Sequence, residues 1–206
     1  MLFTFRAQSS TLQSPPSCEC VDCCACSPII IDVSGRGFHL TDAADGVLFD
    51  ISGTDHPQQI GWTAQGSDNA FLALPADDGL VHNGKQLFGN YTPQPPSDDP
   101  NGVRALAIYD LPENGGNGDG IIDARDKIFS SLRLWVDSNH DGICQAEELH
   151  TLPSMGVYSI RLHYWLSWKH DRFGNRFRYR SEANPPDDPD NPGAANERTI
   201  YDVLLI

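Results

Sequence analysis

"ARDKIFSSLRLWVDSNHDGICQAEELHTL", from Ala124 to Leu152, is the stretch on which the fold turns. Its centre sets oxygen-bearing side chains at the first, third, fifth and last of twelve positions, Asp137, Asn139, Asp141 and Glu148, with Gly142 at the sixth. Calcium is a hard cation that takes several oxygens, and a loop of this spacing supplies them. The Ile143 carbonyl stands seventh, Gln145 can hold a water at the ninth, and Glu148 closes the shell with two oxygens. Upstream, Ile128, Phe129, Leu132 and Trp135 fall at helical spacing, and "CQAEELHTL" suits a short helix. The stretch therefore predicts helix, calcium loop, helix. A plain polar turn is the alternative reading of the loop.

The preceding loop, "NGDGIIDARD", repeats the pattern with Asn117, Asp119, Gly120, the Ile121 carbonyl, Asp123 and Asp126 at the third, fifth, sixth, seventh, ninth and twelfth positions. Gly115 leaves the first position empty, and Asp110 can fill it if "LPENGG" bulges outward. Asp126 is a methylene shorter than glutamate, so weaker binding is expected there than at Glu148. Ile122 and Cys144, both at the eighth loop position, are expected to face one another in a short bridge joining the loops. Before the first loop, "NGVRALAIYD" predicts a helix capped by Asn101, with Val103, Leu106, Ala107 and Tyr109 on one side.

Outside this region the signals are those of strands. "PIIIDV", "GVLFDI" and "NAFLAL" are short apolar runs ended by turn residues, and "VYSIRLHYWLSW", "RFRYR" and "TIYDVLLI" follow the helical stretch. "PQPPSDDPNG" and "NPPDDPDNPG" read as loops, since proline removes donors. The fold class expected is α+β, an EF-hand-like helix-loop-helix pair packed against antiparallel strands. The expected organisation is a Cys-rich tether over 1–27 and one calcium-binding module over 28–206. That module divides into strands over 28–74, the EF-hand-like pair over 101–155, and a hairpin with a last strand over 156–206.

With 28 acidic against 14 basic side chains, the net charge of −14 argues against nucleic acid and anionic membranes as partners. Six of those cations, Arg161, Lys169, Arg172, Arg176, Arg178 and Arg180, crowd the late hairpin, where a solvated sheet face is expected. No apolar run is long enough to span a bilayer, and the first residues lack the apolar core of a secretory signal. Five cysteines, Cys18, Cys20, Cys23, Cys24 and Cys26, lie within nine positions. They could form disulfides, hold a soft metal or have no fixed role. The histidines stand in no catalytic motif, and "SGRG" lacks the lysine of a phosphate loop.

Three further stretches look like eroded copies of the loop. "DVSGRG" from Asp32 puts Arg36 where an oxygen belongs, "DISGTD" from Asp50 lacks the glycine of the sixth position and a closing acid, and the loop around Asp77 and Asp78 offers Lys85 and Gln86 in place of a closing acid. Together, "IIIDVSGRG", "LFDISG", Gly61-Trp62, "DNAFLAL", "NGKQLFG", "NGDGIID", "LRLWVDSNHDG" and "EELHTL" keep the order seen in the EF-hand-containing module of large bacterial secreted and RTX-type proteins. The chain from Pro28 onward resembles that module. In one branch, the self-processing modules of iron-regulated RTX proteins, calcium triggers cleavage of an Asp-Pro bond before the first strand, the aspartate attacking its own carbonyl to form an anhydride that a lysine can capture. Here the matching position is Ser27-Pro28, and serine has no carboxylate. The resemblance thus implies calcium binding; a non-enzymatic structural or adhesive role is expected, and an extracellular or cell-surface location, because millimolar calcium there would keep such a module folded. Expected partners are calcium ions and other regions of a larger secreted protein. The alternatives are calcium-triggered self-processing and soft-metal binding through Cys18 to Cys26.

Overall fold

The structure, a computed structural model, describes residues 27–186, 188 and 197–206. The cysteines from Cys18 to Cys26 lie outside these residues, as does the tether apart from Ser27.

The strands are β1 (Ile29–Asp32), β2 (Val47–Phe49), β3 (Gln58–Ile60), β4 (Asn69–Ala73), β5 (Ile121–Ile122), β6 (Arg133–Trp135), β7 (Leu149–Thr151), β8 (Ile160–Arg161), β9 (Trp165–His170), β10 (Arg176–Ala183) and β11 (Arg198–Leu204). Nine of them form one antiparallel sheet in the order β5-β8-β10-β11-β1-β4-β6-β7, with β9 also paired to β10, and β2-β3 is a separate hairpin. The single α-helix among the described residues is α1, Gly102–Ala107.

Both faces of the central strands are covered, which explains their unbroken apolar runs. In β1, Ile30 faces a core shared with Phe49, Trp62, Phe71 and Trp135 on the side of the β2-β3 hairpin. Ile29 and Ile31 face a second core with Val103, Leu106, Ile122 and Phe129 on the side of α1. Burial of these side chains stabilises the domain by roughly 1.5–3 kcal/mol each.

The expected α+β class with an EF-hand-like pair is overturned: the fold is mostly β and has no helix-loop-helix pair. The span expected to be helix before Asp137 makes one 3-10 turn at Phe129–Ser131 and then β6, which pairs with β4 through Phe71↔Trp135 and Leu72↔Leu134. The reason lies in neighbours. Leu134 and Trp135 are both fully buried, one in each core, an arrangement that a central strand satisfies because successive side chains point to opposite faces. "CQAEELHTL" likewise gives one 3-10 turn, Ala146–Glu148, and then β7, whose Leu149 pairs with Trp135. The twelve-residue loop is therefore the connection of a β-hairpin, and the span 101–155 contributes three strands to the sheet.

The first helix forms where expected. Asn101 Oδ1 accepts from the Arg104 amide at 3.0 Å, satisfying a donor that the first turn leaves open. It is shorter than its sequence pattern, passing into a 3-10 turn at Ile108–Asp110. Val103, Ala105 and Leu106 are buried, whereas Ala107 and Tyr109 are half-buried. No helix among the described residues is long and apolar enough to cross a membrane.

Candidate metal centre

The loop from Asp137 to Glu148 hangs between β6 and β7 on a frame of its own hydrogen bonds. Asp137, 2% exposed, accepts the amides of His140 at 2.7 Å, Asp141 at 3.2 Å and Gly142 at 2.9 Å. Its Oδ2 also accepts the indole N–H of Trp62 at 2.7 Å. Glu148, 4% exposed, accepts the Ser138 amide at 3.0 Å and hydroxyl at 3.1 Å on Oε1, and the Trp135 indole at 3.1 Å on Oε2. Gly142 has a positive φ of 69°, and a Cβ there would lie 2.8 Å from Val47 Cγ2, so this turn requires glycine.

At the mouth, Asn139, Asp141 and Gln145 hold one another. Asn139 Nδ2 donates to Asp141 Oδ2 at 2.9 Å, and Gln145 Nε2 donates to the same oxygen at 3.0 Å. The Ile143 side chain points to solvent. Among the described residues no three His, Cys, Asp or Glu side chains converge on one point in a way that would hold a metal. The carboxylate oxygens of the loop are spent on internal donors. Among the described residues no Lys, Arg or His forms an ion pair with Asp137, Asp141 or Glu148. Two buried carboxylates met only by N–H and O–H dipoles are a costly arrangement that a bound cation relieves.

The loop from Asp110 to Asp126 solves the same problem differently. Asp110 is buried and accepts the Gly118 amide at 3.0 Å and the Gly120 amide at 2.9 Å, the part that Asp137 plays in its own loop. The insertion turns outward through Pro112–Asn114 and the left-handed Gly115. Asp126 accepts the amides of Asn117 at 3.2 Å and Asp123 at 2.8 Å. Burial pushes its carboxyl above the ordinary value, and the nearby charges of Asp110 and Asp123 add to this. Asn117 Nδ2 donates to Asp119 at 3.0 Å, and Ile121 is engaged in β5.

Arg125 stands where a cation would be needed. Its guanidinium lies 2.6 Å from both Asp119 Oδ2 and Asp123 Oδ2. Burial raises the Asp123 carboxyl, but hydrogen bonds and charge from Arg125 outweigh that and hold it below the ordinary value. A guanidinium at that distance repels a divalent ion. Replacing it, Arg125→Ala, should therefore strengthen calcium binding at this loop several-fold. Calorimetry in a Glu148→Gln background isolates the effect, and an unchanged isotherm would show that Arg125 does not compete.

The expected bridge between Ile122 and Cys144 is not made. Ile122 pairs with Ile160 of β8 and faces the α1-side core, while Cys144 is buried in the other core. The two loops hang from different parts of the sheet, so their eighth residues cannot meet. The eroded copies share the turn alone: Asp32 accepts the amides of Arg36 and Gly37, and Asp50 those of Gly53, Thr54 and Asp55. Arg36 itself is paired with Asp68. Leading aspartates throughout the chain thus cap turns by accepting several N–H groups, which is one reason this spacing recurs.

A second cluster surrounds the start of β1. Ser27 is buried, its amide donating to Asn90 Oδ1 at 2.8 Å and its carbonyl accepting the Asn90 amide at 3.2 Å. A Cβ on Gly89 would lie 1.7 Å from the Ser27 carbonyl oxygen, so the two backbones are pressed together. Ser27 Oγ donates to Asp202 Oδ2 at 3.0 Å, and the same oxygen accepts the Gly102 amide at 2.7 Å. Asp202 is fully buried on β11, and its Oδ1 has no partner among the described residues. Burial pushes its carboxyl up to about 7, against the opposing effects of the Gly102 amide and the Arg178 charge. No sequence motif marks Asp202. Its signal in the sequence is that of a lone acid inside the apolar run "IYDVLLI".

The iron-regulated protein FrpA of Neisseria meningitidis serogroup C is 37% identical over 141 residues, which cover 66% of this chain and 12% of that protein. The chain thus spans about an eighth of the length of that relative. The family model described as the SPM domain matches residues 29–195, from the first residue of β1 to the approach to β11. The chain belongs to the SPM domain family.

Proposed function

We propose that this SPM domain is a calcium-binding structural module of a larger bacterial secreted or surface protein, with the loop Asp137 to Glu148 as its principal site. The observation that carries this reading is the pair of buried carboxylates, Asp137 and Glu148, without a cationic partner among the described residues. Asp137, Asn139, Asp141, the Ile143 carbonyl and Glu148 would hold the ion. Binding must then draw Asn139 and Asp141 away from their mutual contacts, so the loop closes on the ion rather than meeting it preformed. Asp110, Asn117, Asp119, Ile121, Asp123 and Asp126 would form a weaker second site, opposed by Arg125. A bound calcium supplies two positive charges to the carboxylates, and its role here is structural.

Calcium calorimetry on the 206-residue chain tests the assignment. Glu148→Gln removes the closing carboxylate and should weaken the tightest binding event by about tenfold or more. An unchanged tight isotherm would move the site elsewhere.

One observation favours a second reading, calcium-triggered self-processing. Residue 27 is buried, clamped against Gly89 and hydrogen-bonded to a buried acid. What it lacks is the carboxylate that would attack its own carbonyl, since the residue is serine. The non-enzymatic reading therefore expects the Ser27–Pro28 bond to stay intact for days in millimolar calcium. Intact-mass spectrometry checks this, and an accumulating fragment beginning at Pro28 would establish processing. Soft-metal binding at Cys18 to Cys26 involves residues outside those described, and zinc titration of a variant with those cysteines replaced by serine addresses it.

A further inference from the structure

The strand β9 lies at the margin of the sheet. It pairs with β10 through Trp165↔Arg180, Leu166↔Tyr179, Lys169↔Phe177 and His170↔Arg176, and its other edge has no strand partner among the described residues. Edge strands in stable domains are commonly short, charged toward solvent or covered. This one exposes large apolar side chains instead: Trp165 is 44%, Leu166 60% and Trp168 86% exposed. Trp168, Leu166, His170, Arg176 and Leu204 line an open groove of about 640 Å3 that crosses the face of β9, β10 and β11 beside this edge.

The charge beside that groove runs against the rest of the molecule. In a chain of net charge −14, His170, Arg172 and Arg176 make no ion pair with a carboxylate among the described residues. Arg172 rests on the Phe173 ring, and Lys169 lies over the rings of Phe38, Phe177 and Tyr201. Arg178 is already committed to Asp99 and Tyr179. A second copy is a poor occupant, because antiparallel pairing of β9 with itself would bring both sets of cations to one seam.

We propose that the open edge of β9 is a docking site for an extended acidic peptide that adds to the sheet as a further strand. Main-chain hydrogen bonds to the open edge would provide the attachment, and alternate side chains the selectivity. Apolar residues of the partner would pack on Leu166 and Trp168, and its carboxylates would meet His170 and Arg176. Burying Trp168 in such a contact removes the largest exposed apolar side chain of the strand from water.

The test uses the full chain in EGTA, so that calcium sequestration by an acidic ligand plays no part. The probes are a labelled peptide of four Asp-Val repeats, its Lys-Val counterpart and a heparin hexasaccharide, followed by anisotropy and by amide hydrogen exchange. The Asp-Val peptide should bind at least about tenfold more tightly than the Lys-Val peptide. It should also slow exchange across residues 165–170. Trp168→Ala and Arg176→Glu, both at exposed positions and both checked by circular dichroism, should each weaken binding by about tenfold or more. Equal binding of the two peptides overturns the proposal, as does binding without protection of β9. Preference for heparin over the acidic peptide would point to a glycan, and protection of β9 in the chain alone with rising concentration would point to self-association. Either outcome overturns it.

Discussion

In thermal melts, excess calcium should raise the unfolding midpoint of this domain by several degrees over EGTA. A ligand at a hundred times its dissociation constant adds about 2.7 kcal/mol per site, and each kcal/mol moves the midpoint of a domain of this size by roughly 2–4 °C. The physical source is the uncompensated charge of Asp137 and Glu148 in the loop between β6 and β7. Without metal, folding removes these carboxylates from water and repays them only with N–H and O–H donors, a cost that the cation reverses. The response should not be confined to the loop. Trp62 and Trp135 donate their indole N–H groups to those two carboxylates. Both rings pack against Phe49 and Phe71 in the core of the sheet. Residue order alone predicts that calcium orders the span 101–155 and changes the strands over 28–74 less. The indole contacts tie the loop to that span through Trp62, so near-ultraviolet circular dichroism should change with calcium. Midpoints within a degree or two of each other, with no change in the tryptophan signal, would refute the calcium reading.

The second large effect concerns pH and Asp202. Its folded carboxyl is raised from 3.8 to about 7 by complete burial. A carboxyl raised on folding holds its proton more tightly in the native state, so the stability linked to it is fully present below the unfolded value and lost as pH climbs through the folded one. Wild-type stability should fall between about pH 4 and about pH 7, by an amount on the order of 4 kcal/mol at most from this group. The raised carboxyl of Asp126 acts in the same direction. Asp50 and Asp123, whose values are lowered, contribute stability that disappears only at acid pH. In Asp202→Asn the side-chain oxygen can still accept from Ser27 Oγ and the Gly102 amide, and no charge is left to bury. The variant should be more stable than wild type at about pH 8, with a flatter profile below it. Urea midpoints at the two pH values measure this, and parallel profiles for the two proteins would exclude Asp202 as the source.

These two effects rest on different kinds of information. The aspartate-glycine turns, the Asn101 cap and the strands at Ile29–Asp32, Asn69–Ala73 and Arg198–Leu204 are legible from residue order, because each follows from local pattern or the donor chemistry of a few neighbours. The flanks of the twelve-residue loop are not. Ile128, Phe129, Leu132 and Trp135 satisfy a helical period, yet β4 offers Phe71 and Leu72 as partners for Trp135 and Leu134, and pairing across a two-sided core overrides the local preference. The same holds for chemistry. The spacing of oxygen-bearing side chains in both loops and the missing carboxylate at Ser27 are visible in sequence alone, since those are matters of residue type and position. Only the tertiary structure decided that Arg125 fills the first loop, that two tryptophans hold the second, and that Asp202 is buried against Ser27 with one oxygen unpartnered. Those contacts join residues up to 175 positions apart, and the energetic cost of a charge depends on what surrounds it after the chain has closed.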